Sequence, residues 1–64
     1  MCLSTVYKNE LRPENIAMQN VMTIECQDDM VILTDLLERQ VAIRGTLIMA
    51  NLVEGKALVR EQAD

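Results

Sequence analysis

The sequence predicts an all-β fold, a small antiparallel barrel or sandwich of six or seven short strands. Apolar residues alternate with polar ones, or run together, in segments of strand length. Turn-forming residues separate these segments at intervals of about ten residues, which is typical of small barrels and sandwiches. No segment shows helical periodicity over the length of a stable helix, so an all-α or mixed fold is not indicated.

The first predicted strand covers residues 2–8, in which Leu3 and Tyr7 share one face of an alternating pattern. Residues 9–15 are polar, and a proline within them cannot donate a hydrogen bond to a neighbouring strand. We therefore expect a loop between the first strand and the second.

Residues 16–26 form the next apolar segment, whose alternation is interrupted at Asn20. We expect a turn near Asn20 and a proper strand over residues 21–26, followed by a turn at residues 27–29, since aspartate tolerates the backbone geometry of tight turns. The strand after it, Met30 to Asp35, carries apolar side chains on both faces, and one of these faces is a candidate subunit contact.

The second half of the chain predicts a break at residues 36–39 and then three strands, at residues 40–44, 46–53 and 56–61. Gly45 separates the first two of these, because a glycine allows a bend or a bulge. Gly55 indicates a hairpin turn between the last two, since glycine adopts a positive φ without steric cost.

The length of 64 residues predicts one domain, residues 1–64. Half of the residues are hydrophobic, but Tyr7 is the only aromatic residue. A domain of this size has little core with which to offset the entropy of folding, and small chains commonly gain stability from disulfides, metals or oligomerisation. We therefore expect a homodimer that covers part of the apolar surface.

The charge distribution makes nucleic acid a poor candidate partner. The net charge is −4, and no two of the six basic residues are adjacent, whereas binding to a phosphate backbone requires a concentrated basic patch. The sequence shows no signal-peptide pattern and no apolar run long enough to span a bilayer, so we expect a cytoplasmic protein without a membrane partner.

Several classes of enzyme are excluded by composition. The sequence contains no histidine, so Ser-His-Asp and Cys-His catalysis are absent, as are zinc sites that use imidazole. The two glycines form neither a dinucleotide-binding motif nor a P-loop. We therefore expect a protein that does not act as an enzyme.

Cys2 is the candidate metal ligand. Removal of the initiator methionine would make Cys2 the N-terminal residue, so that its α-amine and thiolate could chelate one ion in a five-membered ring. The backbone amide of Leu3 is the next donor, and a second subunit could complete the coordination. Amine, amide and thiolate donors favour square-planar Ni(II) or Cu(II). The alternative is an ordinary cysteine at the start of a strand.

Other residues offer weaker alternatives. Cys26 shares the parity of apolar neighbours, so we expect a buried thiol that acts as a small hydrophobic group. The alternatives for Cys26 are a supplementary metal ligand or an oxidative partner of Cys2. The five methionines are scattered, which favours core packing over a copper(I) site. Asp28 and Asp29 could bind a hard cation, although two carboxylates in a turn are commonly just solvated.

Three segments together resemble the CooT family of small nickel-binding proteins. They are the start MCLSTVY, the middle VILTDLL and the end NLVEGK, at residues 1–7, 31–37 and 51–56. The combination of the Met-Cys start with the Leu-Val-Glu-Gly-Lys hairpin carries most of the resemblance. The loop at residues 11–13 departs from the glycine-rich or acidic connection that the family often has.

The resemblance implies an antiparallel, SH3-like β-barrel that forms a homodimer. It also implies Ni(II) binding through Cys2, and a role as a nickel chaperone or store in the maturation of carbon monoxide dehydrogenase. The implied partners are a nickel enzyme or other nickel chaperones. Family members have also been described as predicted RNA-binding proteins, so the alternative is a small barrel that binds RNA or protein and has no metal role.

Overall fold

Five strands form an all-β sheet that closes into a ring. The structure is a computed structural model, and it describes residues 3–63. A short 3₁₀ helix, Pro13–Asn15, lies in the first loop. The strands are β1, Ser4–Lys8; β2, Ile16–Gln27; β3, Met30–Asp35; β4, Gln40–Asn51; and β5, Lys56–Glu61.

Neighbours in sequence pair with one another, and β1 closes the ring by pairing with β5. The pairs β1–β2, β2–β3, β3–β4 and β4–β5 are antiparallel. The closing pair is parallel, with Thr5 opposite Lys56 and Lys8 opposite Val59. The predicted all-β class is confirmed, and the antiparallel arrangement holds for every described pair except the one that closes the ring.

We predicted six or seven strands, and the described strands number five. The number is smaller because β2 and β4 each replace a predicted pair of short strands. β2 pairs with β1 up to Val21 and with β3 from Val21 onward. β4 pairs with β3 through residues 40–44 and with β5 from Gly45. The predicted breaks at Asn20 and Gly45 are therefore positions where an unbroken strand changes its partner.

Asn20 and Gly45 have the conformational properties that a change of partner requires. Asn20 has a φ of 56°, in the left-handed region that asparagine tolerates better than most residues. The backbones of β4 and β5 approach closely at Gly45, where a Cβ atom would collide with the carbonyl oxygen of Arg60. Both residues therefore allow a strand to bend without ending.

The core lies inside the ring and consists of aliphatic side chains. In β3 the buried residues alternate, with Val31, Leu33 and Asp35 facing inward. This alternation is the expected pattern for a strand with one face on a core. The buried apolar residues are Val6, Val21, Val31, Leu33, Ile43, Ala57 and Val59. Of the described polar and charged side chains, Asp35 alone is buried.

The turns predicted at residues 27–29, 36–39 and 54–55 are confirmed, the turn predicted near Asn20 is not, and the limits of two predicted strands are corrected. Turns occupy residues 28–29, 36–37 and 52–55. The strand predicted over residues 46–53 ends at Asn51, so Leu52 and Val53 lie in a turn and are 77% and 98% exposed. The first described strand begins at Ser4, so Leu3 precedes it, and residue 2, where we predicted its start, lies outside the described residues.

Candidate functional site

The predicted metal ligand, Cys2, lies outside the described residues, and Leu3 is the described residue next to it in sequence. Leu3 is half-buried and lies beside the β4–β5 turn. A Cβ atom added to Gly55 would come within 3.2 Å of the carbonyl oxygen of Leu3. The backbone N–H of Thr5 also donates a hydrogen bond to the carbonyl of Gly55, at 2.9 Å. The turn thus fixes the path by which the chain enters β1.

The β4–β5 turn, residues 52–55, is held by its own hydrogen bonds. The side-chain oxygen of Asn51 accepts the backbone N–H of Glu54 at 3.0 Å, and the carbonyl of Asn51 accepts the N–H of Gly55 at 2.9 Å. Gly55 has a φ of 69°, which glycine adopts without strain. The surface beside Leu3 is therefore built on a rigid turn.

An ion pair lies next to this turn. The ammonium of Lys56 is 2.9 Å from a carboxylate oxygen of Glu54. The hydrogen bond and charge of Glu54 raise the pKa of Lys56, and the nearby Tyr7 contributes in the same direction. Lys56 therefore remains a cation at neutral pH. Across residues 3–63, no group of three cysteine, aspartate or glutamate side chains is arranged to hold a metal ion.

Cys26 is exposed, so the prediction of a buried thiol is wrong. Cys26 pairs with the buried Val31 and so has the expected parity, but β1 reaches along β2 only as far as Val21, the partner of Ser4. In the described part of the chain, nothing on the β1 side covers the last residues of β2. The five-residue separation from Val21 spans about 16 Å of strand.

The Cys26 thiol is therefore remote from Ser4, the first residue of β1. Two residues of extended chain before Ser4 reach at most about 7 Å. This geometry argues against Cys26 as a second ligand for a metal held at Cys2 of the same protomer.

The weaker metal candidates take structural positions. Met18 packs against the core, as gap-filling predicts for a methionine. The carboxylate of Asp29 lies 3.6 Å from the guanidinium of Arg44, and the carbonyl of Asp29 accepts the N–H of Gly45 at 2.7 Å. Asp28 has a φ of 51° and belongs to the turn itself.

A second site, which the sequence analysis did not identify, surrounds Asp35. One oxygen of the Asp35 carboxylate accepts the backbone N–H groups of Leu37 and Arg39, both at 2.9 Å. The other oxygen accepts the Nε–H of Arg39 at 2.8 Å. Burial acts to raise the pKa of Asp35, but the combined hydrogen bonds from Arg39 and Leu37 lower it below its ordinary value. The carboxylate is therefore ionised at neutral pH although it is buried.

A cleft of about 600 Å³ opens beside Asp35. Its walls are residues 16–20 of β2, the Asp35 and Arg39 side chains, and Gln40 and Val41 at the start of β4. One feature of the sequence could have indicated this cleft, namely an aspartate at the end of a strand with an arginine four residues later. Spacing alone did not reveal that the aspartate is buried, because burial depends on the path of β2.

Most of the basic residues are paired with acids. Ion pairs join Lys8 to Glu61, Arg12 to Glu10 and Glu14, Arg39 to Asp35, Arg44 to Asp29 and Lys56 to Glu54. Five of the six basic residues thus have a neighbouring carboxylate. The described part of the fold does not gather these five cations into the uncompensated patch that nucleic acid requires.

The comparisons with known proteins give one family. A family model described as "CO dehydrogenase accessory protein CooT" matches residues 1–60. A search of curated proteins gave no match. No helix within residues 3–63 has the length and apolar character needed to cross a membrane.

Proposed function

Since this chain belongs to the CooT family of CO dehydrogenase accessory proteins, we propose that it binds nickel and serves as a cytoplasmic chaperone or store for that enzyme's maturation. The observation that carries the proposal is the family match, which begins at residue 1 and so includes Cys2. In this role the metal is a cargo, and the protein is a carrier rather than a catalyst.

The chemistry of Cys2 suits nickel when the initiator methionine is removed. The α-amine and thiolate of Cys2, with the backbone amide of Leu3, are strong donors of the kind that square-planar Ni(II) takes. Both Cys2 groups must lose a proton before they bind. With ordinary pKa values of about 7.7–8.0 for the amine and 8.5 for the thiol, nickel affinity should fall steeply below about pH 7.

The surroundings of Leu3 support a site that is partly formed before the metal arrives. The hydrogen bond between Thr5 and Gly55 and the close approach of Leu3 to Gly55 restrict where the N-terminal segment enters the fold. Ligands held by rigid elements lose less entropy on binding than ligands on a free chain. The exposed turn that follows β4 would then lie beside the bound ion.

Within the same proposal the protein is an SH3-like homodimer that binds CO dehydrogenase or another nickel chaperone. Eight large hydrophobic side chains are exposed in the described part of the chain, and six of them lie within residues 36–53. Exposed apolar surface concentrated on one strand and its flanking turns is typical of a contact surface. The ion pairing of five basic residues disfavours RNA as the partner.

The proposal is tested by titrating metal-free protein with Ni(II) and following the thiolate-to-nickel charge-transfer absorption. Cys2→Ser keeps the amine but removes the soft donor, so we expect nickel affinity to fall by at least a hundredfold. Cys26→Ser is the matched control, because it removes an exposed thiol elsewhere and should leave affinity within about twofold. Full nickel binding by the Cys2 variant would refute the assignment.

Two tagged proteins test whether the α-amine is a ligand. The tag contains no histidine, and it is placed at the N-terminus of one protein and at the C-terminus of the other. An uncleaved N-terminal tag keeps the Cys2 thiol but removes the free amine, so binding should weaken sharply. A C-terminal tag of the same sequence should have no effect. Equal affinity in the two proteins would show that the amine is not a ligand and that thiolates alone hold the metal.

A further inference from the structure

We propose that the cleft beside Asp35 binds an extended, acidic segment of another protein, which adds to the sheet along β2. This site uses neither Cys2 nor the turn at residues 52–55, so it goes beyond the nickel-binding proposal. Three observations carry it: an unpaired strand edge, a slot of suitable size and a fixed cation.

The strand edge is shown by the residues that line the cleft. Five consecutive residues of β2, residues 16–20, border it. A strand that lines a cavity with its face contributes every second residue, so a continuous run indicates that the edge borders the cleft. These residues pair with β1 on one side, and the pairing with β3 begins only at Val21. The backbone edge of residues 16–20 on the cleft side therefore has no strand partner in the described part of the chain.

The cleft has the size of a short strand. One residue of an added strand occupies about 3.3 Å along the strand, 4.8 Å across the sheet and 10 Å between faces, or roughly 160 Å³. The volume of about 600 Å³ therefore accommodates about four residues. Addition of a strand to a free edge is a common mode of peptide recognition, in which backbone hydrogen bonds supply affinity.

Arg39 supplies the charge that selects the peptide. Asp35 holds Arg39 at its backbone N–H and at its Nε–H, both within 2.9 Å. The Arg39 side chain is 72% exposed, whereas the Asp35 side chain is 3% exposed. Among the residues that line the cleft these two carry the only charges, because the other polar ones are neutral amides. The charged group that a ligand would contact is thus the exposed guanidinium of Arg39, because the carboxylate paired with it is buried.

The turn at residues 36–39 closes one end of the slot, and it exposes two leucines that lie outside the lining of the cleft. The N–H of Leu36 donates to the carbonyl of Asn20 at 2.9 Å, which ties the turn to β2 where the free edge ends. Leu36 and Leu37 are 47% and 71% exposed. The best ligand is therefore an extended segment with one carboxylate for Arg39 and apolar side chains beside it.

The experiment uses metal-free, full-length protein and a fluorescein-labelled peptide of sequence Thr-Val-Glu-Val-Thr with blocked ends. Fluorescence anisotropy should show saturable binding with a Kd below about 1 mM. Replacing the peptide's glutamate by glutamine should weaken binding about tenfold, since a charge-assisted hydrogen bond is lost. Hydrogen exchange should show new protection at residues 16–20.

Matched variants distinguish binding of the peptide in the cleft from general electrostatic attraction to the protein. Arg39→Gln should weaken binding of the acidic peptide about tenfold, whereas Arg44→Gln, which removes the same charge from another exposed arginine, should change it less than twofold. Residues 23–27 of β2, which have no strand partner on the β1 side within the described residues, are the internal control for hydrogen exchange. No saturable binding by the native protein, equal losses in both variants, or protection confined to residues 23–27 would overturn the proposal.

Discussion

At the scale of single residues, the Asp35 carboxylate is buried, and both of its oxygens accept hydrogen bonds. It accepts hydrogen bonds from two backbone N–H groups and from the Arg39 guanidinium. Removing an acceptor that serves several donors leaves those donors unpaired, which is commonly costlier than the bonds themselves. Asp35 therefore fixes the β3–β4 turn and Arg39 together.

We predict that Asp35 makes stability dependent on acid pH. Its pKa is lowered in the folded protein, so its contribution is present above the unfolded value of about 3.9 and is lost as the pH falls through the folded pKa. The free energy of unfolding of Asp35→Asn should be below that of wild type at pH 7, and the difference should narrow below about pH 4. Urea denaturation of both proteins between pH 7 and pH 2 measures this difference in the free energy of unfolding.

Asp29→Asn is the control for the Asp35 experiment. The Asp29 side chain is 59% exposed and is paired with Arg44 at 3.6 Å. An exposed ion pair contributes little, so the variant should differ from wild type by less than about 0.5 kcal/mol at every pH. A constant gap between wild type and Asp35→Asn from pH 7 to pH 2 would contradict the assigned role of Asp35.

Burial at single positions was the part of the fold that the sequence predicted least well. The parity of Cys26 was correct, because it pairs with the buried Val31. Its exposure depends on how far β1 extends along β2, which alternation does not encode. Asp35 differs from expectation in the opposite direction. A charged residue at the end of a strand is usually exposed, but Asp35 is buried.

At the scale of elements, the strand class and most turns follow from the sequence, but the number of strands does not. Asn20 and Gly45 were correctly identified as irregular positions. A left-handed asparagine or a glycine is equally compatible with a turn and with a bend inside a strand. Only the register, with β2 and β4 each paired to two different neighbours, distinguishes these outcomes.

We predict that Gly45→Ala destabilises the fold severely. The new Cβ atom would collide with the backbone carbonyl of Arg60, so β4 and β5 would have to separate at the point where their pairing begins. Overpacking of this kind typically costs about 1–3 kcal/mol, or more when the obstacle is backbone. Thermal unfolding should show a lowered midpoint or no folded state.

The control for Gly45 is its neighbour Thr46, which is exposed. Thr46→Ala should change the free energy of unfolding by less than about 1 kcal/mol, the range of strand propensities. If Gly45→Ala were as stable as Thr46→Ala, the close approach of β4 and β5 would be wrong.

At the scale of the whole molecule, a closed ring with a small aliphatic core leaves much apolar surface outside. Among residues 3–63 the core contains seven residues, whereas eight large hydrophobic side chains are exposed. Closure removes some free edges, but within the described part of the chain residues 16–20 of β2 keep one on the side away from β1. A small domain with this surface is expected to gain stability by association.

The last prediction is the homodimer and the location of its contact. Sedimentation velocity at micromolar concentration should give about twice the chain mass of 7.3 kDa. Val53→Glu should shift the protein toward monomer, because Val53 is 98% exposed on a turn next to β4 and a charge there would be desolvated in the contact. Leu11→Glu, which changes an exposed leucine outside residues 36–53, is the matched control and should stay dimeric. A monomeric wild type would refute the dimer, and an undisturbed Val53 variant would exclude this turn from the contact.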